Sequence, residues 1–150
     1  MALFDAADMF APAEAKVGFE EASSLFLHPN LAVGDVKGWA VLWNANGQIL
    51  RSDFPAAVSR GRRVLTCLLS SGDSRYGFSC FVDGAMRRSI VYKLNKVVDE
   101  TGTKLSEEIG LTVPRWGPDE DFIFGVMERL TGVSFGDLQA ATYGVLEFLG

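Results

Sequence analysis

A two-residue turn between two strand patterns is the feature that most constrains the fold of this chain. Aromatic and apolar residues alternate along "RYGFSCFV" (75–82), and the apolar-rich "AMRRSIVYKL" (85–94) follows directly after Asp83-Gly84. Asp-Gly favours the positive backbone angles of a tight hairpin turn. The pattern therefore predicts two antiparallel strands joined at these two residues.

The register of this predicted hairpin follows from counting outward from its two-residue turn. Cys80 is then expected opposite Arg87, and Phe78 opposite Ser89. Because neighbouring residues of a strand point to opposite faces, this register places a second set of residues on the face away from Phe78. The residues of that set are Met86, Arg88, Ile90, Tyr92 and Leu94. Both faces carry aromatic groups, so we expect both to be at least partly covered.

Other segments add strands and helices around the hairpin. The strand patterns are "VKGWAVLW" (36–43), "QILR" (48–51) after the turn "NANG", "RRVLTCLLS" (62–70) and a short strand at 97–98. An Ala- and Glu-containing segment from Pro12 to Leu27 predicts a helix, because Pro suits a first helical turn. Strands grouped between terminal helices are typical of the α+β class.

The predicted organisation is one α+β domain over residues 1–150. A helical N-terminal segment (1–35) is expected to precede a central antiparallel sheet of about five strands (36–100). A C-terminal pair of helices (116–149) then completes the domain. We expect these helices to flank the sheet.

The first C-terminal helix is marked by a cluster of acids and by a glycine. Pro118 and the acids after it suit the first turn of a helix, whose unpaired N–H groups favour negative charge. Gly132 suits the end of that helix. Ser134 and Asp137 then have the spacing of a capping box at the start of a second helix, expected to continue to Leu149.

The same acid cluster has a second interpretation, which is recognition of a partner. Trp116 lies between two prolines and next to Asp119, Glu120 and Asp121. An aromatic side chain beside carboxylates is suited to an interface with a basic partner. Helix initiation alone accounts for every acid in the stretch and is the favoured interpretation of the cluster at this stage.

Charge and cysteine content limit the classes of partner and compartment. The net charge is −5, and residues 101–150 carry 3 basic and 8 acidic side chains. This balance favours a basic protein partner over nucleic acid. No apolar run approaches the ~20 residues that span a bilayer. Because the N-terminal segment has acids where a signal peptide carries basic residues, we expect a cytoplasmic protein with Cys67 and Cys80 reduced and buried.

The sequence offers little for catalysis, metal binding or cofactor binding. His28 is the only histidine, which argues against Ser-His-Asp, Cys-His and multi-histidine metal chemistry. Phosphate-binding and dinucleotide-binding glycine motifs are absent. "SRGRR" (59–63) could hold an anion or be a solvated strand end. The sequence therefore predicts a protein that is not an enzyme and needs no metal or cofactor.

Several short motifs resemble a loose group of small uncharacterised bacterial proteins. They are "GWAVLW", "SRGRRVL", "FVDGAMRR", "ETGTKLSEEIGL" and "DEDFIFGVMERLTGV", and the resemblance covers roughly residues 36–147. In that group an antiparallel sheet, an arginine-rich hairpin, a "G-x-x-L-x-E-E" segment and an "E-x-L-T-G" helix follow in this order. Such proteins are similar to the immunity proteins of polymorphic toxin and interbacterial competition systems.

The resemblance implies an immunity protein that neutralises a cognate toxin by direct binding and occlusion. Its candidate contact residues are Trp116, Asp119, Glu120, Asp121, Glu107 and Glu108. Two alternatives remain open. One is an enzyme that uses Arg87 and Arg88 with the Glu107 and Glu108 pair. The other is a homomeric structural or phage-encoded binding protein, in which a second copy of the chain is the partner.

Overall fold

The computed structural model describes residues 10–24, 27, 29–44 and 54–149. The chain divides into two compact units, one formed by Met1–Arg51 with Val133–Gly150 and the other by Ser52–Gly132. The elements in chain order are β1 (Phe10–Val17), α1 (Phe19–Ala22), β2 (Leu31–Val36), β3 (Trp39–Trp43), α2 (Phe54–Val58), β4 (Arg63–Ser70), β5 (Arg75–Val82), β6 (Ala85–Lys93), β7 (Lys96–Gly102), a 3-10 turn (Ser106–Glu108), α3 (Glu120–Thr131), α4 (Phe135–Ala140) and β8 (Tyr143–Phe148).

The α+β class is confirmed, but the single sheet of about five strands is wrong. Each unit contains its own four-stranded antiparallel sheet, in the order β1-β8-β2-β3 in the first unit and β4-β5-β6-β7 in the second. The predicted "NANG" turn, the "QILR" strand and His28 lie outside the described residues.

The N-terminal helix predicted from Pro12 to Leu27 is wrong. Residues Phe10–Val17 form β1, and the α-helix that follows has four residues, Phe19–Ala22. β1 lies at a sheet edge, where a proline is tolerated, and it pairs with β8 at the other end of the chain. Pairing with a distant strand therefore overrides the local helix preference of this Ala- and Glu-containing segment.

The second C-terminal helix is much shorter than predicted. Its capping box is confirmed, since the Ser134 hydroxyl accepts from Asp137 N and the Asp137 carboxylate accepts from Ser134 N. The helix ends at Ala140, however, and residues Tyr143–Phe148 form β8. β8 pairs with β1 on one side and β2 on the other, so its backbone groups are bonded within the sheet. This pairing explains why the last residues are extended.

The hairpin of the second unit confirms its turn and corrects its register. Asp83 and Gly84 have φ angles of 49° and 83°, as a tight hairpin turn requires. Cys80 pairs with Arg88 instead of Arg87, because one extra residue bulges from β6 next to the turn. A one-residue shift moves every following side chain to the other face. Ile90 is therefore in the core with Phe78.

Helix α3 supplies the other half of this core. Its buried residues pack with the sheet in one cluster, which consists of Phe78, Ile90, Phe122, Ile123 and Val126. Asp119 begins the helix, since its carboxylate accepts from Asp121 N and Phe122 N. Gly132 ends it with φ 77°, which confirms the predicted glycine stop.

We predict that Gly102→Ala destabilises the second unit far more than Gly110→Ala. Both glycines have positive φ angles, 82° and 80°, so both substitutions carry the left-handed penalty of roughly 1–2 kcal/mol. Only at Gly102 would the new Cβ also meet the Arg87 carbonyl of the neighbouring strand; at Gly110 it meets open space. We expect Gly102→Ala to cost about 3 kcal/mol or more by chemical denaturation. Equal losses for the two variants would contradict this account.

We also predict that the Asp137 carboxyl titrates at about 2 instead of its ordinary 3.8. The Ser134 N–H, and then the Lys37 ammonium 2.9 Å away, lower the pKa of this carboxyl. Because the folded pKa is depressed, its stabilising contribution is present above pH 3.8 and is lost as the pH falls through about 2. Carbon-detected NMR titration should show this midpoint, with only a partial upward shift in Lys37→Gln. An ordinary midpoint in the unsubstituted protein would refute it.

Candidate functional site

Trp116 is displayed on a loop that is fixed to the second unit. The Gly117 N–H donates to Pro114 O over 2.9 Å and closes a turn around the tryptophan. Gly117 has φ 110°, and a Cβ at this position would collide with the Leu94 carbonyl, so the loop lies directly on the turn between β6 and β7. The Trp116 side chain nevertheless remains 62% exposed. Tryptophan is highly buried on average, so a tryptophan that is this exposed on a closely packed backbone is not a core residue.

Further apolar side chains are exposed near this loop. A shallow cleft of about 340 Å³ is lined by residues from β6, the 3-10 turn, the segment after it and α3. Ile109 and Val113 line the cleft and are exposed, as is Leu94 next to the cleft residue Asn95. Large exposed apolar groups that occur together mark interaction surfaces more often than those that occur singly.

The three acids after Pro118 differ in what their side chains do. Asp119 caps α3 and is half-buried, whereas Glu120 and Asp121 are exposed in the first turn. Burial, followed by the charges of Glu120 and Asp119, raises the pKa of Tyr76. The acids therefore begin the helix and also place two exposed carboxylates close to Trp116 in sequence. We name Trp116, Asp119, Glu120 and Asp121 the acidic–aromatic surface.

Glu107 and Glu108 lie apart from these acids in sequence, in the 3-10 turn, and only one of them is accessible. Glu107 is half-buried, whereas Glu108 is 3% exposed. The Glu108 carboxylate accepts two hydrogen bonds from the Arg88 guanidinium, at 3.0 and 2.9 Å. A partner cannot reach Glu108 in this arrangement, so the structure does not place it on a contact surface.

Arg88 is fully enclosed and all of its bonds are internal. It is 1% exposed and donates to Glu100 over 2.7 Å and to Gly102 O over 3.0 Å, in addition to Glu108. The hydrogen bond to Glu108 raises the pKa of Arg88 further, so its charge is constant at any physiological pH. This buried cluster was missed from the sequence, because the predicted register placed Arg88 on the opposite face from Phe78.

The two cysteines are free thiols. Cys80 is buried, and the half-buried Cys67 packs against the core cluster of α3 and the sheet. Burial raises the pKa of the Cys67 thiol to about 12 and also raises that of Cys80. Because the thiolate is the reactive form, neither thiol is suited to nucleophilic chemistry.

No protein-family model, no curated protein and no solved structure matches this chain significantly. Within residues 10–24, 27, 29–44 and 54–149, no group of three or more His, Cys, Asp or Glu side chains is placed to hold a metal ion. Among the helices of this part of the chain, none has the length and apolar character needed to cross a membrane.

We predict that Glu108→Gln strongly destabilises the second unit, because it leaves the buried Arg88 guanidinium without its main countercharge. Removing one partner of a buried ion pair lowers the free energy of unfolding by roughly 3 kcal/mol or more. Glu107→Gln is the matched control, since it makes the same change one residue away at a less buried site and should stay within about 0.5 kcal/mol. Urea denaturation of both variants tests the difference. If Glu108→Gln is as stable as the control, the cluster does not have this role.

Proposed function

We propose that this protein is a cytoplasmic immunity protein that neutralises a bacterial toxin by binding it and covering its active site. The supporting observation is the exposed Trp116, held on a fixed loop that is followed in sequence by two exposed carboxylates. Together with the resemblance of several short motifs to those of immunity-type proteins, this surface favours inhibition through contact. The proposed contact is the acidic–aromatic surface, and the proposed partner is a toxin with a basic surface.

The geometry of the loop supports a tight contact. Tryptophan side chains often carry a large share of the binding energy at interfaces. Because Gly117 already packs against the Leu94 carbonyl and the turn is closed by a hydrogen bond, little backbone freedom remains to be lost on binding. Exposed apolar groups at Leu94, Ile109 and Val113 extend the area that a partner could cover.

The arrangement of Arg88 and Glu108 supports binding over catalysis. An enzyme that used these groups would need them free to contact a substrate. They are instead buried and occupied by each other, with Glu100 and the Gly102 carbonyl completing the hydrogen bonds of the guanidinium. Such an arrangement is typical of a structural ion pair.

Co-expression with the products of the flanking genes tests the proposed function. We expect one of these products to stop growth when it is expressed alone in a bacterial host, and this chain to restore growth. The two purified proteins should then form a complex. If neither product is toxic, or if the chain does not protect against a toxic one, the proposal is wrong.

We predict that Trp116→Ala weakens binding of that toxin by roughly 2 kcal/mol or more, mainly through faster dissociation. Asp121→Asn should mainly slow association, with an effect that shrinks at high salt, because exposed charges act by steering. Surface plasmon resonance of folded variants separates the two rates.

Two variants serve as matched controls for this measurement. Leu149→Ala removes a side chain that is 61% exposed, close to the 62% of Trp116, and Glu128→Gln removes an exposed carboxylate from the last turns of the same helix. Both should bind like the unsubstituted protein. Normal binding by Trp116→Ala and Asp121→Asn would place the interface on another surface.

A further inference from the structure

The second unit carries an arginine-rich loop at the end of the sheet where β4 begins. Arg60, Arg62 and Arg63 precede or begin β4, and Arg87 follows the nearby turn between β5 and β6. All four are exposed, although the chain as a whole has a net charge of −5. We name Arg60, Arg62 and Arg87, with the neighbouring Met86, the arginine surface.

The loop that carries Arg60 and Arg62 is held in one conformation by the β5–β6 turn. The Ser59 hydroxyl, fully buried, donates to Ala56 O and accepts from Gly84 N, each over 2.8 Å. The Asp83 carboxylate accepts from Gly61 N over 2.9 Å, and Asp83 N donates to Arg62 O over 3.1 Å. The arginines therefore project from a backbone that is already ordered.

Within the part of the chain that the structure describes, no ion pair neutralises the charges of Arg60, Arg62 and Arg87. Among the described residues (10–24, 27, 29–44, 54–149), the ion pairs involve Lys37, Arg75 and Arg88, and none involves Arg60, Arg62 or Arg87. The Asp83 carboxylate contacts the loop, but it accepts from the backbone N–H of Gly61 and not from an arginine. Arg63 differs from the other three, since it donates to Leu130 O at the end of α3.

We propose that the arginine surface is a docking site for an acidic segment of a protein partner. Charge complementarity is the main argument, because two exposed arginines on the fixed loop and a third near the start of β6 offer donors to carboxylates. Met86 is 45% exposed next to Arg87. We therefore expect the partner's acidic segment to carry an apolar side chain beside its acids. Methionine and arginine are both enriched at protein interfaces.

The same observations favour a protein segment over a nucleic acid. Neither "SRGRR" (59–63) nor "DGAMR" (83–87) contains an aromatic residue on which a base could stack. Three arginines would also neutralise few phosphates, and affinity for nucleic acid grows with that number. The acidic net charge of the chain further opposes a long polyanion.

This docking site is independent of the acidic–aromatic surface. Helix α3 begins at the acids and ends at Leu130 and Thr131, where Arg63 contacts it. Twelve helical residues span roughly 18 Å. Arg63, the neighbour of Arg62 in the chain, therefore lies at the opposite end of α3 from the acids. The two surfaces carry opposite charges and share no residue, so substitutions in one leave the residues of the other in place.

A labelled acidic peptide provides a direct test. The probe is a short fluorescein-labelled peptide of glutamates with two leucines, and its binding is followed by fluorescence anisotropy at about 50 and 200 mM salt. We expect measurable binding that weakens with salt, and a loss of roughly tenfold in the triple variant Arg60→Gln/Arg62→Gln/Arg87→Gln. Trp116→Ala should leave it unchanged, which separates this proposal from the proposed function.

The matched control removes the same amount of charge from another part of the same unit. Lys93, Lys96 and Lys104 are exposed, and their triple replacement by glutamine should leave peptide binding close to that of the unsubstituted protein. Equal losses in the two triple variants would overturn the proposal, since net charge alone would then explain binding. Absence of binding at the lower salt would also overturn it, as would arginine-dependent preference for an oligothymidine of equal length.

Discussion

The second unit depends on the single extra residue that β6 contains beside its turn. The bulge turns Arg88 to the inner face of the sheet, where a guanidinium needs several acceptors. Glu100 and the Gly102 carbonyl come from the neighbouring strand β7, but the bidentate partner, Glu108, comes from the 3-10 turn beyond it. The ion pair therefore fixes the position of this turn against the sheet, and with it one wall of the cleft beside Ile109.

We infer that this buried ion pair contributes more to specificity than to stability. Desolvation of the two charges offsets much of their attraction, and a well-packed apolar pair is often as stable. An apolar pair, however, would tolerate many positions of the segment that connects β7 to α3. A bidentate pair of guanidinium and carboxylate forms in only a few of those positions. The segment between β7 and α3 has little regular structure, and its side chains from Ile109 to Trp116 are largely exposed. Leu105 and Leu111 of this segment pack against the core cluster, and Arg88 adds a constraint of more specific geometry.

The parts of the fold that were predictable are those encoded by neighbouring residues. The Asp83-Gly84 turn, the acid cluster at the start of α3 and the Gly132 stop each depend on backbone angles or N–H groups within a few residues. β1 and β8 were missed because their stability comes from each other, across nearly the whole chain. The bulge was missed because no residue type requires it.

The same distinction explains why the interaction surfaces were only partly predictable. Acids at the start of α3 compensate the positive end of its dipole, and Arg63 lies at the negative end, so helix formation alone accounts for this charge separation. What helix formation does not require is an exposed Trp116 on a closed turn, or the exposed arginines Arg60, Arg62 and Arg87. Sequence composition cannot separate charges that serve a helix from charges that remain unpaired. The hydrogen bonds of Asp83 and Asp119 allow this distinction, because they show that these two carboxylates already accept from backbone N–H groups within the chain.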